Sequence, residues 1–175
     1  MIKLTAQQIF DKLLDEEKIL SANGQIRFFL GDVDIIVKQK DVVGNIIQEW
    51  LGGWLRKREI EFDVSTNTQM PPDFFLNKKD RSRELLEVKA FNRNACPGFD
   101  IADFKMYSDE SFISPISGCR LFNIGYDMDD NGNVTIKDLW LKKVWQITRS
   151  MDGWAINFKS KKAWCIKSAR VFGTA

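Results

Sequence analysis

The sequence contains no histidine among its 175 residues. This absence excludes the Ser-His-Asp and Cys-His types of catalysis, zinc sites with histidine ligands, and nucleases in which a histidine is the general base. Any acid–base or metal chemistry of this chain must therefore use aspartate, glutamate, lysine or tyrosine side chains.

Cysteine is scarce, and its spacing does not fit a metal site. The chain has three cysteines, and no two have the Cys-x-x-Cys spacing typical of zinc binding. An odd count without regular spacing also argues against a disulfide framework. We therefore expect buried, reduced thiols at Cys96, Cys119 and Cys165.

Long apolar stretches are missing as well. No apolar run approaches the ~18 residues that a membrane-spanning helix requires. The first ten residues, MIKLTAQQIF, have neither the basic segment nor the apolar segment of a signal peptide. The sequence therefore predicts a cytoplasmic protein without a membrane partner.

The chain has little excess charge, since its formal net charge is only +2. With 44% hydrophobic and 29% charged residues, it is expected to fold as a globular domain rather than to coat nucleic acid as a polybasic chain. Its basic residues are nevertheless clustered, at 56–58, 78–83, 142–143 and 159–170. The clusters indicate either a face that binds a polyanion or solvated loops and lysine-protected edge strands.

The first part of the chain predicts a helix, two short strands and a second helix. Thr5 and Gln8 have the spacing of a capping box, and an apolar stripe extends this helix over about 6–20. Residues 25–39 are rich in β-forming residues around a Gly-Asp break, which predicts two short strands. Asp41 is the expected N-cap of the second helix, whose apolar face consists of Val43, Ile46, Ile47, Trp50, Leu51, Trp54 and Leu55.

The second part of the chain predicts strands with one short helix between them. The helix is expected over 99–107, and the last two strands should be joined at Asn131-Gly132 by a type I′ turn. The strand-like segments are 60–64, 73–77, 84–91, 119–128 and 133–147. This order predicts a single α/β domain with a mixed central β-sheet flanked by helices.

One stretch, PPDFFLNKKDRSRELLEVKAF at 71–91, carries the candidate chemistry. Its two prolines mark the entry of a strand and fix where Asp73 projects. Glu87 and Lys89 should point to the same face of the following strand, because strand side chains alternate. Two carboxylates and a lysine are what a magnesium-dependent phosphodiesterase needs, but a hairpin held by salt bridges would have the same residues.

A second metal motif lies at 127–138, where DMDDNGNVTIKD matches the ligand positions of an EF-hand-like calcium loop. Its flanks are strand-like, whereas an EF-hand needs helices. Asn-Gly between apolar runs is typical of a β-hairpin. We therefore expect a hairpin turn here, with calcium binding as the alternative.

The proline-carboxylate pair followed by Glu87-Val88-Lys89 resembles the PD-(D/E)XK core of type II restriction endonucleases. The segments VGNIIQEWL, NTQMPPDFFL, LLEVKAFN, FDIADF and IKDLWLKKVWQI resemble restriction enzymes that cut interrupted palindromes of the GGNNCC type. The resemblance covers about 41–147, the expected core of a single nuclease domain over 1–175. Residues 1–40 would add a helix and strands to this core, and 148–175 a basic C-terminal segment.

This resemblance implies a restriction-endonuclease-like fold that hydrolyses double-stranded DNA at a palindromic sequence. Asp73 and Glu87 would be ligands of Mg²⁺, with Mn²⁺ as a substitute, and Lys89 would be the catalytic lysine. Glu49, on the preceding helix, matches the position where such nucleases often add an acidic residue, although an exposed helix charge would look the same.

The expected partners are double-stranded DNA and a second copy of the chain. Amide and guanidinium groups beside the site are candidates for DNA contact, because such groups pair with base edges or phosphates; they belong to Asn67, Gln69, Asn92 and Arg93. A palindrome has two-fold symmetry and the chain has one set of site residues, so a homodimer is expected.

Two other functions remain open for the same residues. One is a structure-selective repair or junction nuclease on the same core. The other is a non-catalytic DNA-binding or protein-interaction domain on a decayed nuclease fold. Cleavage of ordinary duplex at one fixed sequence would separate the restriction hypothesis from both.

Overall fold

The computed structural model describes residues 1–66, 71–94, 98–100, 119–143 and 162–164. The chain begins with helix α1, Ala6–Asp11, which continues into a π-helical turn at Lys12–Glu16. The backbone N–H of Gln8 donates to Oγ1 of Thr5, and the side chain of Gln8 accepts from the Thr5 N–H, so the predicted capping box is confirmed. The helical segment ends earlier than the predicted 6–20.

Three short strands follow: β1 (Asn23–Gln25), β2 (Arg27–Leu30) and β3 (Val33–Ile36). Within the described ranges, strands β2 and β3 pair only with each other, as an antiparallel hairpin whose turn contains Gly31 at a φ of 61°. The two strands predicted within 25–39 are thus confirmed. Every residue of the hairpin is exposed, including its apolar side chains.

Helix α2 spans Val43–Lys57 and packs one apolar face on the core. The prediction that Asp41 caps this helix was wrong. The residue at the N-cap position is Val42, which has right-handed helical dihedrals and makes no side-chain cap hydrogen bond. Asp41 lies one residue before this N-cap position, so its side chain is not at the place from which a cap reaches the first turn.

The centre of the fold is a six-stranded sheet in the order β1-β9-β8-β6-β5-β4. Its other strands are β4 (Asp63–Val64), β5 (Phe74–Phe75), β6 (Leu85–Asn92), β8 (Arg120–Met128) and β9 (Asn133–Lys143). Strands β6 and β8 are parallel and the remaining neighbours are antiparallel, so the predicted mixed sheet is present. Two more strands, β7 (Gly98–Asp100) and β10 (Lys162–Trp164), pair with each other.

The central strands have two different faces. Val88 of β6 and Phe122 and Ile124 of β8 belong to the apolar cluster that also contains the buried faces of α1 and α2. The alternate positions Glu87 and Lys89 project from the opposite face. The sheet therefore buries one face under helices and carries the candidate site on the other.

Strands β8 and β9 form the predicted hairpin, but its turn is not of type I′. Gly132 has a φ of 76°, whereas the other described residues of this turn have no positive φ, as type I′ would require of Asn131. The Asp129 carboxylate accepts hydrogen bonds from the backbone N–H groups of Asn131 and Asn133 and from the Asn133 side chain. This carboxylate thus stabilises the turn, which supports the hairpin over the calcium loop.

The helix predicted over 99–107 is contradicted at its start, because residues 98–100 form strand β7. Residues 101–107 lie outside the described residues. Within the part of the chain that the structure describes, no helix is both long and apolar enough to cross a membrane.

Candidate active site

Asp73 lies immediately before β5, where it links two strands of the sheet. Strand β5 pairs with Leu85 and Leu86 of β6, and this pairing stops before Val88. The Val88 N–H donates to Oδ2 of Asp73 at 2.7 Å. The carboxylate therefore occupies the place of the next carbonyl in the ladder, which holds it beside Glu87.

Helix α2 fixes the other oxygen of Asp73. The side-chain amide of Gln48 donates to Oδ1 at 2.9 Å. No pattern in the sequence signals this contact, because it depends on how α2 packs against the sheet. Both Asp73 oxygens are thus oriented, and each retains a lone pair for a further ligand.

Glu87 and Lys89 lie together on the same face of β6, as their spacing predicted. Lys89 Nζ is 2.7 Å from Oε1 of Glu87. Glu87 is only 5% exposed, and its second oxygen, Oε2, is buried without a hydrogen-bond partner among the described residues. A buried carboxylate oxygen without a donor is unfavourable, so this oxygen is available to a cation.

Both carboxyl groups have raised pKa values. Burial is the main cause for the pKa of Asp73, opposed by the Val88 N–H, by Lys89 and by Gln48. Burial also raises the pKa of Glu87, Lys89 opposes that rise, and the charge of Asp73 adds to it. Two neighbouring carboxylates that are hard to ionise form a site that a divalent cation would stabilise.

The donor set of Asp73 and Glu87 fits a magnesium ion. Carboxylate oxygens are hard ligands, and Mg²⁺ is often held by one or two carboxylates together with waters and substrate phosphate. Among the described residues, no third histidine, cysteine, aspartate or glutamate side chain completes a metal cluster. Any remaining ligands must come from solvent, from substrate or from residues outside the described ranges.

Glu49 is near the site in the sequence, but its side chain is not part of the Asp73–Glu87 carboxylate pair. It lies on α2, directly after the Gln48 that contacts Asp73, and its side chain is exposed. A role for Glu49 would therefore require DNA or a metal ion to draw it in.

The four residues considered for DNA contact fall into three situations. Asn67 and Gln69 lie outside the described residues. The Asn92 side chain accepts a hydrogen bond of 2.9 Å from the Asn94 N–H, which orders the turn after β6. Arg93 is half-exposed and lies 3.1 Å from Oδ2 of Asp138, an ion pair without hydrogen-bond alignment.

A buried cysteine next to the site was predicted only as a core thiol. Cys119 is fully buried and free, as expected. Burial raises the pKa of its thiol, and the charges of Glu87 and Asp73 raise it further. The thiol is therefore harder to ionise than an exposed cysteine. The other two cysteines lie outside the described residues.

Comparisons with known proteins agree with this architecture. The model of the NgoBV restriction endonuclease family matches residues 3–171. A curated relative from Neisseria lactamica, the type II restriction enzyme NlaIV, is 89% identical over 163 residues, which are 93% of this chain and 67% of the relative. A solved NlaIV restriction endonuclease structure superposes with a TM-score of 0.81 at 90% identity, covering 90% of this chain and 64% of that one.

The mixed sheet with its few helices is therefore the restriction-endonuclease-like α/β fold that the sequence predicted. The chain belongs to the NgoBV restriction endonuclease family. It spans about two thirds of the length of the relatives that it matches.

Proposed function

We propose that the chain is a type II restriction endonuclease that hydrolyses phosphodiester bonds of double-stranded DNA at a palindromic site of the GGNNCC type. It would act in the cytoplasm, with 1–175 as a single nuclease domain. The observation that carries this proposal is the pairing of Asp73 with Glu87. Among the described residues, Oε2 of Glu87 is buried without a hydrogen-bond partner, and Lys89 Nζ is 2.7 Å from Oε1.

In this proposal Asp73 and Glu87 hold Mg²⁺, and Mn²⁺ can replace it. When bound, the ion neutralises phosphate charge and lowers the pKa of a water molecule. Asp73 is kept in place by α2 and by β6, through Gln48 and the Val88 N–H. The two elements thus orient one ligand before any substrate arrives, which reduces the reorganisation needed during the reaction.

Lys89 is the catalytic lysine of the proposal. Its side chain is mostly buried and carries a charge on the face where the phosphate would lie. A lysine in this position can orient the attacking water or stabilise charge that develops on the phosphate. Glu49, exposed one residue after Gln48, is proposed to join the site when DNA and metal are present.

Contacts to DNA are proposed for the edges of the same face. Arg93 is the best placed of the described candidates, because it follows β6 directly and its side chain is half-exposed. Its ion pair with Asp138 would have to open for a phosphate. Asn67, Gln69 and Asn92 remain candidates for contacts to bases or backbone.

A homodimer would supply two sites for the two strands of a palindrome. Two apolar surfaces support this proposal: the exposed side chains Ile46 and Trp50 on α2, and the apolar side chains of the β2–β3 hairpin. Sedimentation of the protein with and without a DNA duplex tests it. A persistent monomer that makes double-strand breaks in one binding event would contradict it.

The function is tested by incubating the protein with plasmid DNA and Mg²⁺ and sequencing the fragment ends. We expect discrete fragments whose ends all lie in one short palindrome, and no cleavage in EDTA. Cutting only at branches or ends would instead indicate a structure-selective nuclease. Binding of duplex without any nicking in Mg²⁺ or Mn²⁺ would indicate a non-catalytic domain.

A further inference from the structure

A buried asparagine lies beside the proposed catalytic lysine. Asn123 is the cross-strand partner of Lys89 in the parallel pair β6–β8, so both side chains leave the same face of the sheet. Asn123 is 0% exposed, and Glu87 and Asn123 are the two buried polar or charged residues in the described part of the chain. Both therefore lie at the candidate site.

The Asn123 side chain has one satisfied and one unsatisfied end. Its Nδ2 donates to the carbonyl oxygen of Leu121 at 3.3 Å, whereas its Oδ1 is buried without a partner in the part of the chain that the structure describes. If the amide were flipped, Oδ1 would face the carbonyl oxygen of Leu121, and two acceptors cannot form a hydrogen bond. The orientation of the amide is therefore fixed by the bond to Leu121. The oxygen is therefore the group left without a partner.

Lys89 is a donor on the same face that can reach this oxygen. Neighbouring strands lie about 4.8 Å apart, a distance that the four-carbon stem of a lysine spans easily. The ammonium has three N–H donors, and its described contact is to Oε1 of Glu87. A cation held by Glu87 would repel the ammonium and compete for that oxygen, and Lys89 would then need another acceptor on the same face.

We propose that Asn123 is a positioning residue that accepts a hydrogen bond from Lys89 through Oδ1 when Glu87 binds the metal ion. The amide is neutral, so it holds the ammonium in place without cancelling its charge, as a third carboxylate would. This inference rests on the proposed function, because it assigns a role within the same site.

The direct test is a crystal structure of the protein soaked with Mg²⁺. We expect Nζ of Lys89 within about 3 Å of Oδ1 of Asn123, at hydrogen-bond distance. If Lys89 remains on Glu87 alone, or if another donor occupies Oδ1, the proposal is overturned. This readout does not depend on cleavage.

The kinetic test uses Asn123→Leu, which removes the acceptor at similar volume, and Asn123→Asp, which keeps an oxygen in the same place but adds a negative charge. We expect kcat of Asn123→Leu to fall about 10–100-fold with unchanged KM for duplex DNA, and kcat of Asn123→Asp to stay well below wild type, because its carboxylate cancels the charge of the ammonium. A kcat within twofold of wild type for either variant overturns the proposal.

The control is Ile124→Val, one position along β8 on the face toward the helices. It should lower the unfolding midpoint without changing kcat, which separates a general packing defect from a positioning effect. A wild-type protein that does not cleave at all would count against the proposed function. The Mg²⁺-soaked structure would then still decide whether Lys89 moves to Asn123.

Discussion

The side-chain amide of Gln48 on α2 donates a hydrogen bond of 2.9 Å to Oδ1 of Asp73, the residue directly before β5. This bond connects a core helix to a candidate metal ligand, so the position of that ligand depends on how the helix packs on the sheet. Partners of metal ligands commonly affect metal affinity or activity almost as strongly as the ligands do.

Replacing Gln48 with methionine should therefore weaken metal binding. Gln48→Met keeps the length of the side chain and removes the donor, so Asp73 loses one of its two orienting bonds. We expect Mg²⁺ affinity to fall about 10–100-fold, with little change in the unfolding midpoint. Calorimetric titration with Mg²⁺ measures the affinity.

Gln7→Met on α1 is the matched control, since it removes a similar glutamine–aspartate bond, to Asp11, away from the site. It should leave Mg²⁺ affinity unchanged. Equal losses in both variants, or none in Gln48→Met, would show that Gln48 does not orient a metal ligand.

Glu87→Gln should separate DNA binding from cleavage. The substitution removes a metal ligand and one negative charge near the phosphate, so cleavage should be abolished while binding of duplex DNA is kept or strengthened. Gel-shift titrations in EDTA and cleavage assays in Mg²⁺ measure the two properties. Loss of both to the same extent would mean that Glu87 is mainly structural.

The control for that experiment is Glu17→Gln. Glu17 is ion-paired with Arg58 in the described structure, at a position remote from Asp73 and Glu87 in sequence. Glu17→Gln also removes a negative charge and an ion pair, but it changes no residue of the site. It should therefore leave cleavage intact.

Lys89→Ala should lower the cleavage rate by about 10²–10⁴-fold, the usual contribution of a positioned proton-transfer group. The protein should still bind Mg²⁺, since both carboxylates remain. Rates measured at saturating Mg²⁺ check this expectation. A rate within a few-fold of wild type would remove Lys89 from the mechanism.

The raised pKa of Glu87 predicts a pH dependence of stability in EDTA. The folded protein holds the proton of this carboxyl more tightly than the unfolded chain does, because the pKa of a glutamate in an unfolded chain is only about 4.3. Between these two pKa values the folded state binds more protons, so the free energy of unfolding falls as pH rises.

Thermal unfolding of wild type and Glu87→Gln from about pH 4 upward isolates this effect. The midpoint of wild type relative to the variant should decline as pH rises. Added Mg²⁺ should raise the midpoint of wild type more than that of Glu87→Gln. A relative midpoint that stays flat or increases with pH would contradict the raised pKa.

Gly125 of β8 lies on the site face, where a side chain would meet Phe91 and Asp138. A Cβ there would lie 2.8 Å from Cζ of Phe91 and would collide with the Asp138 side chain. Gly125→Ala should therefore lower the free energy of unfolding by about 1–3 kcal/mol. Gly24→Ala on β1, where an added Cβ would meet nothing within 4 Å, should change the free energy of unfolding by less than about 0.5 kcal/mol. If chemical denaturation gave similar losses of stability for Gly125→Ala and Gly24→Ala, crowding around Gly125 would not be the cause.

The part of the site that follows from local spacing was predictable. Alternation along one strand places Glu87 and Lys89 on one face, and the described ion pair confirms that geometry. The fold class followed from the order of strand-like and helical segments. The turn between β8 and β9 was predicted only in part. Asn131-Gly132 correctly indicated a hairpin, but hydrogen bonds to the Asp129 carboxylate stabilise a turn that is not of type I′.

The contacts between distant segments could not be predicted in the same way. The bond from Gln48 to Asp73 depends on how α2 packs on the sheet, and the alignment of Lys89 with Asn123 depends on the register of a parallel strand pair. Neither leaves a local pattern in the sequence. A single asparagine within the apolar strand RLFNIGYDM was the available signal for Asn123, because a polar residue in a buried strand needs a specific partner.

Asp73 and Glu87 are proposed to bind one divalent cation together, beside Lys89. Crystals soaked in Mn²⁺ test this proposal through the anomalous density of the metal. We expect one peak in contact with a carboxylate oxygen of Asp73 and with Oε2 of Glu87, and no such peak in Glu87→Gln. No peak between these two carboxylates in wild type, or one only at the 127–138 hairpin, would contradict it.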